Sequence, residues 1–355
     1  MENNYCVIMA GGIGSRFWPL SKSNFPKQFI DILGIGKSLI RLTFERFRAI
    51  CPIENYYIVT NEAYKSIILE QIPELKEEQI LCEPLRRNTA PCIMYANYII
   101  GKKNKNAKII VAPSDHLILN ENEFNRVINY GLDYAANNDV LLTLGIQPTR
   151  PDTGYGYIQL GEKSITDINK VKTFTEKPNL DMAKFFLESG EFYWNSGIFI
   201  WSLASIDKAF QDFLPDVYNL FQKSSEFSCE SDFINATYSD SPSISIDYGV
   251  MEKADNVYVL RADFGWSDLG TWGSLYENKD KDKHTNAVIG DNVFLYDTKN
   301  SIVRSNANKI IVVQGLEDYI VVDSEQSLLI CKKTDEQKIK IFVNDIKQKL
   351  GDTYV

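Results

Sequence analysis

The first half of the chain alternates short apolar runs with stretches of helical periodicity. Apolar runs stand at 5–9, 56–60, 80–83, 108–112 and 140–144. Between them, apolar residues recur at helical spacing near 39–50, 62–71, 90–100 and 123–137. This alternation predicts a mixed, mostly parallel sheet with helices on both faces. In such sheets, ligands bind beyond the carboxyl ends of the strands. The pattern then loosens from Asp152 to about Trp272, where strand-like pieces at 157–160, 171–174 and 197–201 interrupt helices. That stretch reads as an insertion that completes the sheet and covers the ligand crevice.

A charged run, Lys279 to Lys283, marks a change of character and reads as a solvated linker. Beyond it, short β runs recur at 293–296, 302–304, 310–313, 319–322 and 328–331 with turn residues between them. They predict an all-β module. The chain closes with an amphipathic helix bearing Ile339, Phe342, Val343, Ile346 and Leu350 on one face. Two domains are therefore expected, 1–283 and 284–355.

Composition narrows the classes. With 355 residues and 44% hydrophobic content, the chain can bury a substantial core. A formal net charge of −9 argues against a nucleic-acid partner, although a local cluster of cations can still bind a nucleotide. Six scattered cysteines without a C-x-x-C pair read as reduced core thiols. Two histidines, His116 and His284, argue against a zinc site or a histidine-based triad. The sequence carries no signal-like or membrane-spanning run, so a cytoplasmic protein without a membrane partner is expected.

The densest chemical signal follows the first apolar run: Ala10, Gly11, Gly12, Gly14, Ser15, Arg16, Pro19, Pro26, Lys27 and Gln28. Glycines let backbone N–H groups close on an anion, and the two cations add full positive charge. A strand, a glycine-rich turn and two cations suit the phosphates of a nucleoside triphosphate. Two better-known motifs do not fit. The third glycine of G-x-G-x-x-G is replaced by Phe17, and Gly36-Lys37-Ser38 lacks the first glycine of a P-loop, since Asp31 stands there.

The string G-G-x-G-x-R-x-x-P-L-S followed by P-K-Q-F resembles the signature of sugar-1-phosphate nucleotidylyltransferases. Its P-L-S and P-K-Q-F wording is similar to that of the mannose-1-phosphate guanylyltransferases, which make GDP-mannose. The resemblance continues in order to Trp272. It implies a Rossmann-like α/β domain with a small left-handed β-helix after it. From the sequence alone, a β-sandwich fits the last module equally well.

The resemblance also implies roles. Arg16 and Lys27 would be catalytic, and Ala10, Gly11, Gly12, Gly14 and Ser15 would bind the GTP phosphates. Arg86, Asn88 and Thr89, in an R-N-T-A-P segment, would lie beside the nucleobase. Gly156, Glu176, Lys177, Asn195 and Gly197 would hold the sugar phosphate. Asp115 and Asp268 would carry Mg2+. The plain alternatives are a helix cap or Asx turn for Asp115, and helix caps for Asp268, Asn88 and Thr89. Asp247, in a Ser-Ile-Asp-Tyr segment, would orient a loop or cap a helix at 248–254.

The implied substrates are GTP and mannose 1-phosphate. Another sugar 1-phosphate, or a catalytically silent nucleotide-sugar-binding relative, stays open. A homodimer through the β module fits the resemblance. The cupin-type phosphomannose isomerase domain of some bacterial relatives has no counterpart, so no isomerase activity is expected.

Overall fold

A computed structural model describes residues 1–161, 167–305 and 309–355. The strands are β1 Asn4–Met9, β2 Tyr56–Asn61, β3 Ile80–Glu83, β4 Lys108–Pro113, β5 Leu117–Ile118, β6 Leu141–Ile146, β7 Gly156–Leu160, β8 Ile168–Glu176, β9 Phe192–Ser202, β10 Val257–Ala262 and β11 Trp266–Ser267. Six more follow: β12 Ala287–Ile289, β13 Val293–Tyr296, β14 Ile302–Arg304, β15 Ile311–Gln314, β16 Tyr319–Asp323 and β17 Leu328–Lys332. The chain divides into two compact units, and neither is a single stretch of sequence.

The first unit comprises Met1–Gly11, Phe44–Ser114 and Ile118–Trp266. Its centre is a nine-stranded sheet in the order β3-β2-β1-β4-β9-β6-β10-β8-β7. β3, β2, β1 and β4 run parallel, as do β6 and β10, whereas β9 lies antiparallel between β4 and β6. Strands at the middle are buried on both faces, which is why they read as continuous apolar runs. The helix Glu121–Asn137 buries Phe124, Val127, Ile128, Leu132 and Ala135, the spacing of one helical face. A second core gathers Tyr95, Phe221, Phe233 and Tyr238 around the helix Thr89–Lys103.

The second unit comprises Gly12–Thr43, Asp115–Leu117 and Ser267–Val355. β12, β14 and β16 stack in parallel, as do β13 and β15, and β17 closes the stack antiparallel to β16. Parallel rungs of this kind make a β-helix-like module and remove the sandwich alternative. The core of this unit joins residues far apart in sequence. Phe17, Trp18, Ile30 and Leu39 pack with Leu269, Trp272, Ile302, Ile320 and Ile339. Trp18 Nε1 donates to the carbonyl of Tyr354 at 2.8 Å, and Trp272 Nε1 donates to the carbonyl of Trp18 at 3.3 Å.

Three elements depart from the sequence reading. The helix expected over 62–71 divides into a 3-10 turn, Glu62–Tyr64, and a helix, Lys65–Gln71. The strand expected at 197–201 runs from Phe192 to Ser202, and its first half pairs with β7. The helix expected at 248–254 is a five-residue π turn, Asp247–Met251.

Candidate active site

In the first unit, candidate residues collect at the carboxyl edge of the sheet. Register sets Met9 opposite Val59 and Pro113, and Asn61 opposite Glu83. The chain leaving β1 is fixed at once. Ala10 N–H donates to the Val59 carbonyl at 2.8 Å, and Thr60 Oγ1 donates to the Ala10 carbonyl at 3.0 Å.

Gly11 faces Glu83, a buried carboxyl at the end of β3 that sequence reasoning did not single out. Tyr238 Oη donates toward Glu83 Oε1 at 3.0 Å and lies 3.3 Å from the Pro91 carbonyl. One hydroxyl proton cannot serve both acceptors. A protonated Glu83 that donates to Tyr238 resolves the conflict, because Tyr238 then donates to Pro91. Burial pushes the Glu83 carboxyl up to about 7, against the opposing pull of the Tyr238 bond and the Arg86 charge. The sequence signal for it was the strand end itself, Glu83-Pro84.

The segment Arg86 to Thr89 follows directly. Arg86 Nη2 donates to Tyr64 Oη at 3.1 Å. Arg87 clamps the carbonyls of Tyr238 and Ser239 at 2.8 and 2.9 Å. Asn88 has φ 67° and accepts from Thr89 N–H at 2.9 Å, so it does cap the helix Thr89–Lys103. Thr89 Oγ1 accepts the N–H of Ile246 at 2.9 Å, and Ala90 N–H donates to the Ile244 carbonyl at 3.1 Å. The segment is thereby stitched to the Ser-Ile-Asp-Tyr segment, a link that no spacing in the sequence announces.

Asn195 ties together the other candidates of this unit. Its Oδ1 accepts from Thr143 Oγ1 at 2.9 Å and from Gly197 N–H at 3.2 Å. Its Nδ2 donates to Asp247 Oδ1 at 2.8 Å. Asp247 is thus part of the same polar cluster. Burial first, and then the Glu176 charge, push its carboxyl up to about 6. Glu176 Oε1 pairs with Lys177 Nζ at 2.9 Å, while most of the Lys177 side chain stays exposed. Gly156 pairs with Glu176 across β7 and β8, and a Cβ there would overlap Glu176 Oε2 and press on Asn195. A side chain at 156 would therefore push the Glu176 carboxylate aside. Gly156, Glu176, Lys177, Asn195, Gly197 and Asp247 form one polar patch with both charge signs and several hydrogen-bonding groups.

In the second unit, the glycine-rich turn is held by Gln28, whose Nε2 donates to the Gly12 carbonyl at 2.9 Å, and by Ser21, whose Oγ donates to the Ile13 carbonyl at 2.8 Å. Gly14 adopts φ 64°, and a Cβ there would come within 2.5 Å of Lys27 Cβ. It opens the 3-10 turn Ser15–Phe17, which carries Arg16. Lys27 sits on the 3-10 turn Lys27–Phe29 and is buried. Its ammonium meets Asp115 Oδ2 at 2.8 Å and the carbonyls of Asp268 and Leu269 at 2.9 and 3.0 Å. Those three acceptors match the three donors of an ammonium group.

The fold therefore brings Lys27, Asp115 and Asp268 together, although sequence spacing could not pair them. Burial pushes the Asp115 carboxyl up, but Lys27, His116 and the Lys27 hydrogen bond together hold it below its ordinary value. Asp268 Oδ1 accepts from Gly270 N–H at 3.0 Å, an Asx-type turn. The cap of the helix Trp272–Asn278 is Thr271, not Asp268. Likewise Asn120, not Asp115, caps the helix Glu121–Asn137. Among the described residues, no group of three or more His, Cys, Asp or Glu side chains gathers at metal-binding distance. Two carboxylates beside main-chain carbonyls are nonetheless hard oxygen donors of the kind Mg2+ accepts when phosphates complete its shell.

A glycine-rich turn thus follows the first strand of an α/β sheet, and a buried lysine meets the Asp115 carboxylate and the carbonyl of Asp268. Residues 5–285 match the family model described as nucleotidyl transferase, and residues 291–346 match the MannoseP isomerase/GMP-like beta-helix domain. The chain belongs to the nucleotidyl transferase family. Among its relatives, mannose-1-phosphate guanylyltransferase 2 of Escherichia coli O157:H7 is 35% identical over 98% of this chain and 74% of that protein. Mannose-1-phosphate guanylyltransferase of Salmonella montevideo is 36% identical over 96% and 73%, respectively. The crystal structure named mannose-1-phosphate geranyltransferase from Thermus thermophilus superposes with a TM-score of 0.90 at 28% identity, over 97% of this chain and 99% of that one. No helix among the described residues is long and apolar enough to cross a membrane.

Proposed function

We propose that this nucleotidyltransferase moves GMP from GTP to α-D-mannose 1-phosphate, giving GDP-mannose and pyrophosphate. The observation that carries the substrate assignment is the agreement of relatives named mannose-1-phosphate guanylyltransferase that align along 96% and 98% of the chain. The polar patch around Asn195 and the cation-lined turn around Lys27 support it chemically.

The sugar phosphate oxygen forms a bond to the α-phosphorus of GTP in line. The bond from that phosphorus to the bridging oxygen breaks, and its electron pair leaves with pyrophosphate. The attacking phosphate is anionic at neutral pH, so no general base is required. Catalysis is then positioning and charge neutralisation. The turn Gly11, Gly12, Gly14 and Ser15 presents N–H groups to the phosphates, and Ala10, whose own N–H is held by the Val59 carbonyl, fixes where the turn begins. Arg16 and Lys27 neutralise the charge that builds on the phosphates in the transition state. Lys177 holds the sugar phosphate, and Glu176 and Asn195 bond its hydroxyls. Guanine offers donors at N1 and N2, which suit Glu83 and Asn88, and an acceptor at O6, which suits a backbone N–H near Thr89.

Nucleotidyltransferases of this family generally use a divalent metal. Asp115 and Asp268 would hold Mg2+, which would offset the negative charge of the phosphates. The test is pyrophosphate release from the purified protein with Mg2+ and each nucleoside triphosphate. Release that needs mannose 1-phosphate and is fastest with GTP is expected. Release that favours another sugar phosphate or another base would replace the substrate assignment, and no release with any pair would leave a silent nucleotide-sugar-binding protein.

A further inference from the structure

The 3-10 turn that carries Arg16 is built against the end of the β-helix-like module. Ile339, the first residue of the helix Ile339–Leu350, is fully buried in the same core as Phe17 and Trp18. Just before it, Glu336 Oε2 accepts the N–H of Gly273 at 2.8 Å, near the Asp268–Leu269 turn that receives Lys27. Between these anchors, Gln337 Oε1 accepts Arg16 Nε at 3.2 Å. Among the described residues, that is the one hydrogen bond of the Arg16 side chain, so both Nη groups are left for an anion.

Lys340 stands three residues after Gln337, beside Arg16, and makes no ion pair among the described residues. Repulsion from Arg16, and to a lesser extent burial, lower the Lys340 pKa below its ordinary value. Two unpaired cations held together at the rim of a glycine-rich turn repel each other until an anion joins them.

We propose that this C-terminal segment is a working part of the phosphate site, with Gln337 aiming Arg16 and Lys340 adding a second cation for the β- and γ-phosphates. The pair would hold the leaving pyrophosphate after the bond to the α-phosphorus breaks. The inference rests on the nucleotidyl-transfer reading. It gives the β module a direct role in substrate binding, beyond that of a scaffold.

The test is the reverse reaction, with GDP-mannose saturating and pyrophosphate varied, on Lys340→Ala, Lys340→Arg and Gln337→Ala proteins. Each alanine variant should raise the KM for pyrophosphate about threefold to fivefold, the worth of one exposed charge or polar contact. For Lys340→Ala, the penalty should shrink at about 0.5 M salt, where the screening length is only a few ångströms. Lys340→Arg should restore the wild-type value, and the KM for GDP-mannose should stay unchanged. An unaltered pyrophosphate KM would overturn the proposal. So would a rise that is indifferent to salt and tracks a lower melting temperature, because that marks a structural prop. If the wild type turns over no substrate, the reading of its activity fails, and calorimetric binding of inorganic pyrophosphate decides this inference alone. Weaker, salt-sensitive binding to Lys340→Ala supports it, and equal binding overturns it.

Discussion

Replacing Lys27 with methionine keeps the length of the side chain and deletes its charge and its three donors. The Asp115 carboxylate then loses its cation, and the carbonyls of Asp268 and Leu269 lose a donor. Removing one partner of a buried ion pair costs about 3–5 kcal/mol. Asp115 retains 29% of its side-chain surface, so water recovers part of that cost. A loss of about 2–4 kcal/mol is expected, which lowers the melting temperature by about 3–5 °C in a chain of this size.

The pH dependence sharpens the test. In the wild type, Asp115 titrates below its ordinary value, so its contribution to stability is complete above that value and fades as pH falls through the lower, folded one. Without Lys27 the push from burial meets less opposition. The stability gap between wild type and variant should therefore be widest at neutral pH and close as pH drops below the carboxylate range. Adding Asp115→Asn to Lys27→Met should recover part of the loss, because it removes the stranded charge. Thermal melts across pH, with the double mutant alongside, read all three effects. A gap that stays constant with pH, together with no recovery in the double mutant, would refute the argument. Turnover of Lys27→Met should fall by about a hundredfold to a thousandfold or more, as expected for loss of a group that stabilises transition-state charge.

Other consequences are as direct. Gly14→Ala forces a side chain to φ 64° and into Lys27 Cβ, so it should lose about 1–3 kcal/mol in denaturant melts and most of the activity. Folded Glu83 keeps its proton to about 7, while the unfolded group loses it near 4.5, so the native state binds more protons between those values and stability falls as pH rises through that window. Glu83→Gln should lack this fall and, in urea titrations, gain up to about 3 kcal/mol on the wild type above pH 7 relative to pH 4.5; an equal difference at both pH values would contradict the assignment. Lys177→Met should raise the KM for the sugar phosphate several-fold and leave the KM for GTP and the melting temperature alone, as read by steady-state kinetics.

Much of the fold was legible where periodicity is strong. β1 to β4 and the helices around them fall within a few residues of the apolar runs, because strands buried on both faces leave an unbroken hydrophobic record. β9 was read short because its first half, Phe-Tyr-Trp-Asn-Ser-Gly, alternates buried and half-buried positions beside β7 and mixes polar with aromatic residues. The π turn Asp247–Met251 carries the apolar spacing of a helix, but its five-residue length depends on packing that spacing does not encode. The parallel rungs of the terminal module were hidden because runs of three to five residues suit a sandwich as well.

The glycine-rich turn could be read because backbone conformation dictates its residues. The pairings could not. Lys27 with Asp115 and Asp268, Glu83 with Tyr238, and Asn195 with Asp247 join residues that only the folded topology brings together. Burial, not residue type, sets the raised pKa values of Glu83 and Asp247, and burial is a tertiary property.

The discontinuous make-up of the second unit bears on how the protein is born. The segment that carries Arg16 and Lys27 leaves the ribosome early, yet its core partners Leu269, Trp272 and Ile339 are translated late, and the acceptor for Trp18 is the carbonyl of Tyr354. During synthesis the nine-stranded sheet can assemble as soon as β10 has emerged, while the glycine-rich turn waits for the β-helix-like module. A nascent chain halted before Ser267 would therefore carry a folded sheet and a glycine-rich turn still without its core partners.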